Sequence, residues 1–312
     1  MPDVILSHVP GMKAASSVPV CNASELSETV FLGEFVSTSQ PCVIKGAVRH
    51  WAATQKWRDR DYLKSLCGNR TIIYYPHENF VAEKRMEAGK RSMNFAEAMD
   101  ILHSAETKVA SLGFPDPLTE LLQDIGGFSF LTTALPPILY DPHVRHFFYR
   151  NAGTTWHYHP FDETLMCQVI GSKKIGLVSA KTRCQKALHS VFFQEDYYDD
   201  ASLLARFEHA DLRWFSATLD EGDALYIPPL WWHGVVPLGP SFGVTTAVVW
   251  RSPSHVVADT IRKMDAGDID LIGFVNLPEV RRLVAAAAEL GMPLDIRRSA
   301  PLSISIRPAL LG

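Results

Sequence analysis

The sequence predicts a mainly β protein, a sandwich or barrel with α/β elements before it and helices after it. Three observations lead there. From Phe128 to Trp250, short β-prone runs alternate with Gly, Pro and Asp turns. No amphipathic helical repeat interrupts that stretch, as one would in a parallel α/β fold. Helical periodicity is confined to the flanks. A hydrophobic content of 47% over 312 residues is enough for a sizeable core and argues against disorder.

Residues 1–30 carry little periodicity beyond a short helix opening near Ser24–Thr29. Pro41–Val48 (PCVIKGAV) reads as a strand ended by Gly46. A helix starts near Asp59, with Tyr62, Leu63 and Leu66 at helical spacing and Gly68 as its stop. Thr71–Tyr75, β-branched and aromatic, is a strand; Lys84–Arg91 is a charged, solvated loop. Asn94 is placed to cap a helix through His103, with Phe95, Ala98, Met99 and Leu102 on one face. Pro117–Ile125 reads as a second short helix. Strands are then expected near Phe128–Leu131, His146–Tyr149, Thr155–His159, Leu165–Ile170, Lys174–Ser179, Ala224–Ile227, Gly234–Val236 and Gly243–Trp250. The insertion Lys181–Asp220, partly acidic and aromatic, reads as a crossover between sheets at the barrel mouth.

After Trp250, Ser254 can cap a helix to about Asp265, and another is expected over Pro278–Leu290 with Gly291 as its stop. Residues 1–253 are expected to form one domain and 254–312 a helical extension. Its face of Val280, Leu283, Val284 and Ala287 packs on the barrel or on the partner of a homodimer.

A formal charge of −4 gives no support to a nucleic-acid surface, and no DNA-binding module accompanies the β region. The five cysteines (Cys21, Cys42, Cys67, Cys167, Cys184) are scattered and form no CxxC pair. This fits a reducing compartment better than a disulfide framework or a zinc–thiolate site. The first residues lack the basic and apolar regions of a signal peptide, and no apolar run approaches the roughly 18–20 residues of a bilayer span. The expectation is a cytoplasmic protein without membrane contact.

Two segments carry the chemistry. GTTWHYHPFDETLMCQVIGSKK (153–174) places His157 and His159 two positions apart, which on a strand is one face. Asp162 and Glu163 follow. GDALYIPPLWWHGV supplies His233. Fe(II), Zn(II) and Mn(II) accept imidazole and carboxylate, and an open site needs about three protein ligands. His157, His159 and His233 meet that need if their strands are neighbours in a rolled sheet. Gly222, Asp223 and Pro228 shape the turn before His233. Trp231 and Trp232 read as packing, Tyr149 and Trp156 as core or wall, and Cys167 as a buried thiol.

Thr154, His157, His159, Thr164, Leu165, Met166, Gln168, Gly171 and Lys173, with the run Glu221–Val235, resemble the motifs of the JmjC-type, cupin-like Fe(II)- and 2-oxoglutarate-dependent oxygenases. PCVIKGAVRHW and KWRDRDYLKSLCG resemble that family's N-terminal segment, so the likeness covers roughly residues 40–252. The resemblance implies a double-stranded β-helix (jelly-roll or cupin) core. It also implies Fe(II), 2-oxoglutarate as cosubstrate, and hydroxylation or oxidative demethylation of a peptide, protein or small-molecule substrate. His157 and His233 fall on the family's iron-binding histidines, Lys173 on the lysine that holds the distal carboxylate of 2-oxoglutarate, and Thr154 on an assisting hydroxyl. No catalytic side chain beyond the metal centre is implied.

The sequence also departs from the pattern. His159 stands where the family has its acidic ligand, leaving Asp162 or Glu163 to swing in as the carboxylate. With Glu163, the HxH segment also resembles the ordinary cupin motif of three His and one Glu. Thr164 and Thr245 stand at positions often Asn, and Phe130 at one often Tyr. Two alternatives therefore stay open: a cupin metalloenzyme that does not use 2-oxoglutarate, and a non-catalytic binding protein.

Overall fold

The computed structural model describes residues 4–76, 89–113, 118–133, 143–159, 162–179, 188, 191–192, 201–207, 212–239 and 241–252, and the backbone of 294–297 and 303–306. In chain order the main strands are β1 (Ser16–Ser17), β2 (Val20–Asn22), β3 (Cys42–Lys45), β4 (Thr71–Tyr75), β5 (Arg91–Asn94), β6 (Ala110–Gly113) and β7 (Val144–Arg150). They continue with β8 (Thr154–His157), β9 (Asp162–Ile170), β10 (Lys173–Ser179), β11 (Trp214–Leu219), β12 (Ala224–Ile227), β13 (Trp231–Pro237) and β14 (Phe242–Arg251). They build a smaller sheet in the order β1-β11-β10-β13-β8 and a larger one in the order β2-β3-β12-β9-β14-β7-β6-β4-β5. A separate hairpin pairs Leu294–Arg297 with Ser303–Ile306.

The pairing is mostly antiparallel and joins segments far apart in sequence: β12 sits between β3 and β9, and β13 between β10 and β8. This interleaving of two facing sheets is a jelly roll, as the sequence leads one to expect. The interior holds Ile175, Leu177, Ala217, Leu219 and Val235 from the smaller sheet against Val43, Leu225 and Ile227 from the larger. Alternation then sends the other face of β9 outward, where Leu165, Cys167 and Val169 join Trp51, Trp57, Phe95 and Phe148 in a second, larger core beneath the N-terminal helices.

Those helices follow the residues that announce them. Asp59 caps Arg60–Cys67 by accepting hydrogen bonds from the amides of Asp61 (2.9 Å) and Tyr62 (3.2 Å). Phe95–His103 buries Phe95, Ala98, Met99 and Leu102, although Asn94 occupies the cap position without a side-chain bond. Buried Asp124 accepts from Trp57 Nε1 at 3.0 Å and from Lys56 at 2.8 Å, tying this layer together.

Several expectations need correction. Phe128–Leu131 is a turn closed by a single bridge and not a strand, and Pro117–Ile125 contains a 3-10 helix at Thr119–Asp124. The segment Lys181–Asp220 is more than a crossover, since it contributes strand β11. The strand expected to reach His159 ends at His157. The helices expected at 254–265 and 278–290, and with them the proposed dimer face, lie outside the described residues. Among the described residues no helix is long and apolar enough to cross a membrane.

On the outer face of the smaller sheet, Gly176 and Gly234 stand opposite each other beneath the indole of Trp156. A Cβ at Gly176 would lie 2.8 Å from the Trp156 ring and 2.9 Å from Leu6 and Met12 side chains. Gly176→Ala is therefore expected to destabilise the fold by about 1–3 kcal/mol through overpacking. Chemical denaturation checks this; an unchanged midpoint would show that the indole yields freely.

Candidate metal centre

His233 lies on the inner face of β13, in register with Leu177 of β10 on one side and His157 of β8 on the other. His159 lies two residues past the end of β8. It is held there by the Leu230 amide, which donates to its carbonyl at 2.8 Å, and by the Thr164 hydroxyl, 3.1 Å from its Nδ1. The strand alternation invoked to bring His157 and His159 together is thus replaced by these two anchors. One ligand nitrogen from each of the three rings lies within 4.8 Å of the others. Ring centroids are 4.1 Å apart for His157–His233, 5.2 Å for His159–His233 and 5.3 Å for His157–His159.

The tautomers follow from the partners. His157 Nδ1 is 2.9 Å from the Thr155 carbonyl, and His233 Nδ1 is 2.9 Å from the Trp231 carbonyl. A carbonyl only accepts, so each Nδ1 carries a proton, and in the neutral ring Nε2 is the nitrogen that keeps a lone pair. This is the arrangement by which an outer partner orients a metal-binding imidazole. Burial, then the neighbouring His157, hold His233 well below the usual imidazole range; His159 is lowered by burial, His233, His157 and Arg145. Converging imidazole nitrogens, with His159 and His233 held toward the neutral form, are what a cation of the Zn(II) or Fe(II) type requires, so the residues present fit a metal.

Because the folded forms of His159 and His233 titrate below the unfolded value, the unfolded chain takes up their protons first. Their contribution to stability is complete above pH about 6.5 and is lost as the pH falls, by at most about 1.4 kcal/mol per unit for each ring. Denaturation of metal-free protein between pH 7.5 and 5 should show this, with a shallower slope in His159→Gln. Equal slopes would mean that His159 is already charged.

Glu163 does not swing in. It faces the outer core, buried, and accepts hydrogen bonds from Tyr226 and Ser252. Asp162 faces inward by alternation and lies 3.9 Å from the Arg145 guanidinium of β7, but it is not among the three clustered residues. Asp223 has the structural role expected of it, accepting from the Gly46 amide at 2.9 Å and from Lys45 at 2.6 Å.

Lys173 opens β10 on the same inner face as Ile175 and Leu177, four residues or roughly 13 Å along the strand from the row of His233. It is buried, and among the described residues it has no ion pair or hydrogen bond, only the Tyr149 ring at 4.0 Å from Nζ. Burial pulls its pKa down to about 7. Thr154 reaches the interior through a bulge. His233 opposes His157 while Val235 opposes Thr154, so β8 carries one residue more than β13 across this interval. Directly opposed residues share a face, which places Thr154 with Val235 inside and leaves Trp156 outside.

Phe130, set in the position of a family tyrosine, is instead packed against Phe31 and Phe128 in the outer core. The aromatic residue that meets Lys173 is Tyr149. Period-two reading of β7, which turns Arg145, Phe147 and Tyr149 inward while His146 and Phe148 pack outward, is the sequence signal that finds it.

A jelly roll with histidines clustered on and beside neighbouring strands defines a candidate cupin-type metal site, and the chain belongs to the cupin-like domain family, whose profile matches residues 27–255. It is 27% identical over 252 residues to Jumonji C domain-containing protein 5 of Drosophila melanogaster, covering 73% of this chain and 59% of that protein. It is 26% identical over 245 residues to lysine-specific demethylase JMJ30 of Arabidopsis thaliana, covering 71% and 53%. Likeness to tRNA wybutosine-synthesizing protein 5 of Danio rerio, at 24% over 267 residues, covers 78% and 77%. The chain thus spans little more than half the length of the first two relatives.

Proposed function

We propose that this protein is an Fe(II)- and 2-oxoglutarate-dependent oxygenase that hydroxylates or demethylates a peptide or protein side chain or a small metabolite. The observation that carries the reading is the pairing of three convergent imidazoles with a buried lysine that meets no carboxylate among the described residues. Its relatives include a lysine-specific demethylase and a wybutosine-synthesizing protein by name, which fits the same chemistry on different substrates.

When bound, iron and 2-oxoglutarate supply an oxidant strong enough for an unactivated C–H bond. The chain does the rest. His157, His159 and His233 would hold the ion, and three protein ligands would leave positions for exchangeable ones. Lys173 would hold the far carboxylate of the dicarboxylate by a charge-assisted bond in a dry interior, with Thr154 on the same inner face. Ile175 and Val235, between the lysine and the histidines, and Leu177 beside His233 keep water from that path. Fe(II) and 2-oxoglutarate added anaerobically should produce a metal-to-ligand charge-transfer band in the visible, and aerobic turnover should release succinate.

One observation favours a second reading. His159 in place of a carboxylate makes the ligand set neutral, as in cupin metalloenzymes that act without 2-oxoglutarate. A protein that holds stoichiometric Fe(II) but shows neither the band nor succinate would establish that reading in place of the first.

A further inference from the structure

We propose that Tyr149 is the positioning residue for Lys173: its ring is the platform that favours the ammonium form of the buried lysine and aims it at the place where the cosubstrate's distal carboxylate arrives. The proposal rests on the oxygenase reading and adds to it a residue that none of the sequence motifs contains.

Tyr149 belongs to β7 of the larger sheet and Lys173 to β10 of the smaller, so their contact spans the sandwich. Lysine Nζ lies 4.0 Å from the ring centroid, within the range where the negative face of an aromatic ring attracts a cation. The ring is held on both sides. Its hydroxyl accepts from Gln168 Nε2 at 2.9 Å; that nitrogen also donates to the Ile170 carbonyl at 2.6 Å, and Gln168 Oε1 accepts from Thr245 Oγ1 at 2.9 Å. Gly243 stands opposite Tyr149 on β14, and a Cβ there would lie 2.3 Å from the ring. The two threonines at the family's frequent Asn positions thus have separate tasks, Thr245 bracing the tyrosine's partner and Thr164 the third histidine.

The groups around Lys173 make the platform consequential. Its strand neighbours in register are apolar, Leu219 on β11 and Pro237 on β13. From β7, β9 and β14 come Tyr149, Gln168 and Thr245. Among these only Tyr149 titrates, and burial raises its hydroxyl further from neutrality. Burial alone brings Lys173 to about 7, so the ring is the one favourable contact for its charged form among the described residues. Burial disfavours the charged form and the ring favours it, so removing the ring shrinks the charged fraction at pH 7.5.

The test is calorimetric titration of Mn(II)-loaded protein with 2-oxoglutarate from pH 6.5 to 9, with metal content checked at each pH. Wild-type affinity should decline as pH rises through the lysine's titration. Tyr149→Phe keeps the platform and should bind within about threefold of wild type. Tyr149→Leu should bind about 10- to 30-fold more weakly at pH 7.5, with the decline displaced to lower pH. Tyr149→pentafluorophenylalanine reverses the ring quadrupole at nearly constant shape. It should reproduce the leucine result, and it answers the question if the leucine variant does not fold. Wild-type affinity and pH profile in the fluorinated variant, together with weak binding by Lys173→Met, would overturn the platform and leave the oxygenase reading standing. Undiminished binding by Lys173→Met would remove the oxygenase reading itself.

Discussion

His233→Ala should purify without stoichiometric metal and turn over no 2-oxoglutarate above background. The ring it removes is 1% exposed and sits at the centre of the cluster, 4.1 Å from His157 and 5.2 Å from His159 between centroids. The remaining two imidazoles lie on β8 and just past its end, so the contribution of the smaller sheet's central strands is lost. Changing a group that merely orients a ligand already costs 10- to 100-fold in metal affinity, so deletion of a ligand should exceed about 100-fold. Elemental analysis and a succinate assay measure both effects, with thermal denaturation to confirm a folded chain. Equimolar metal in the variant would mean that the ion binds elsewhere.

Lys173→Met is expected to weaken 2-oxoglutarate binding by about 2–5 kcal/mol, or 30-fold and more, with metal content unchanged. It should also leave the ligand-free protein as stable as wild type or more so. A buried ammonium whose pKa has been drawn down to about 7 is held in the fold at a cost, and a thioether of similar length removes that cost. This pairing of outcomes separates a ligand anchor from a structural lysine, which would destabilise the fold when replaced. Calorimetry and denaturation on the same preparation decide; a large fall in stability with unaltered affinity would contradict the assignment.

The expected β architecture was legible because β9, β10, β12 and β14 are buried runs bounded by turn residues, and the observed strands match them to within a few positions. Trp214–Leu219 is not legible as a strand because its burial alternates only imperfectly and an acidic, aromatic segment precedes it. The histidines were legible as residue types; their convergence depends on contacts between distant parts of the chain, such as Thr164 with His159, that no local pattern contains. Glu163 shows the limit most sharply. In a pleated strand one position decides between interior and exterior: Glu163 turns to the outer core while its neighbour Asp162 turns inward, a choice residue type alone does not make. Tyr149 reads as core or wall in the sequence, since its contact is with a lysine contributed by the opposite sheet.

The extra residue that β8 carries between Thr154 and His157 has a bearing on how this chain is compared with others. Two side chains three positions apart cannot share a cavity on a regular strand, yet here they do. A relative that builds the same pocket without the irregularity would carry its hydroxyl only two positions ahead of its histidine. Alignments should therefore be free to open a one-residue gap at 155–156. A rigid, ungapped comparison would match the correct letters to the wrong side of the wall.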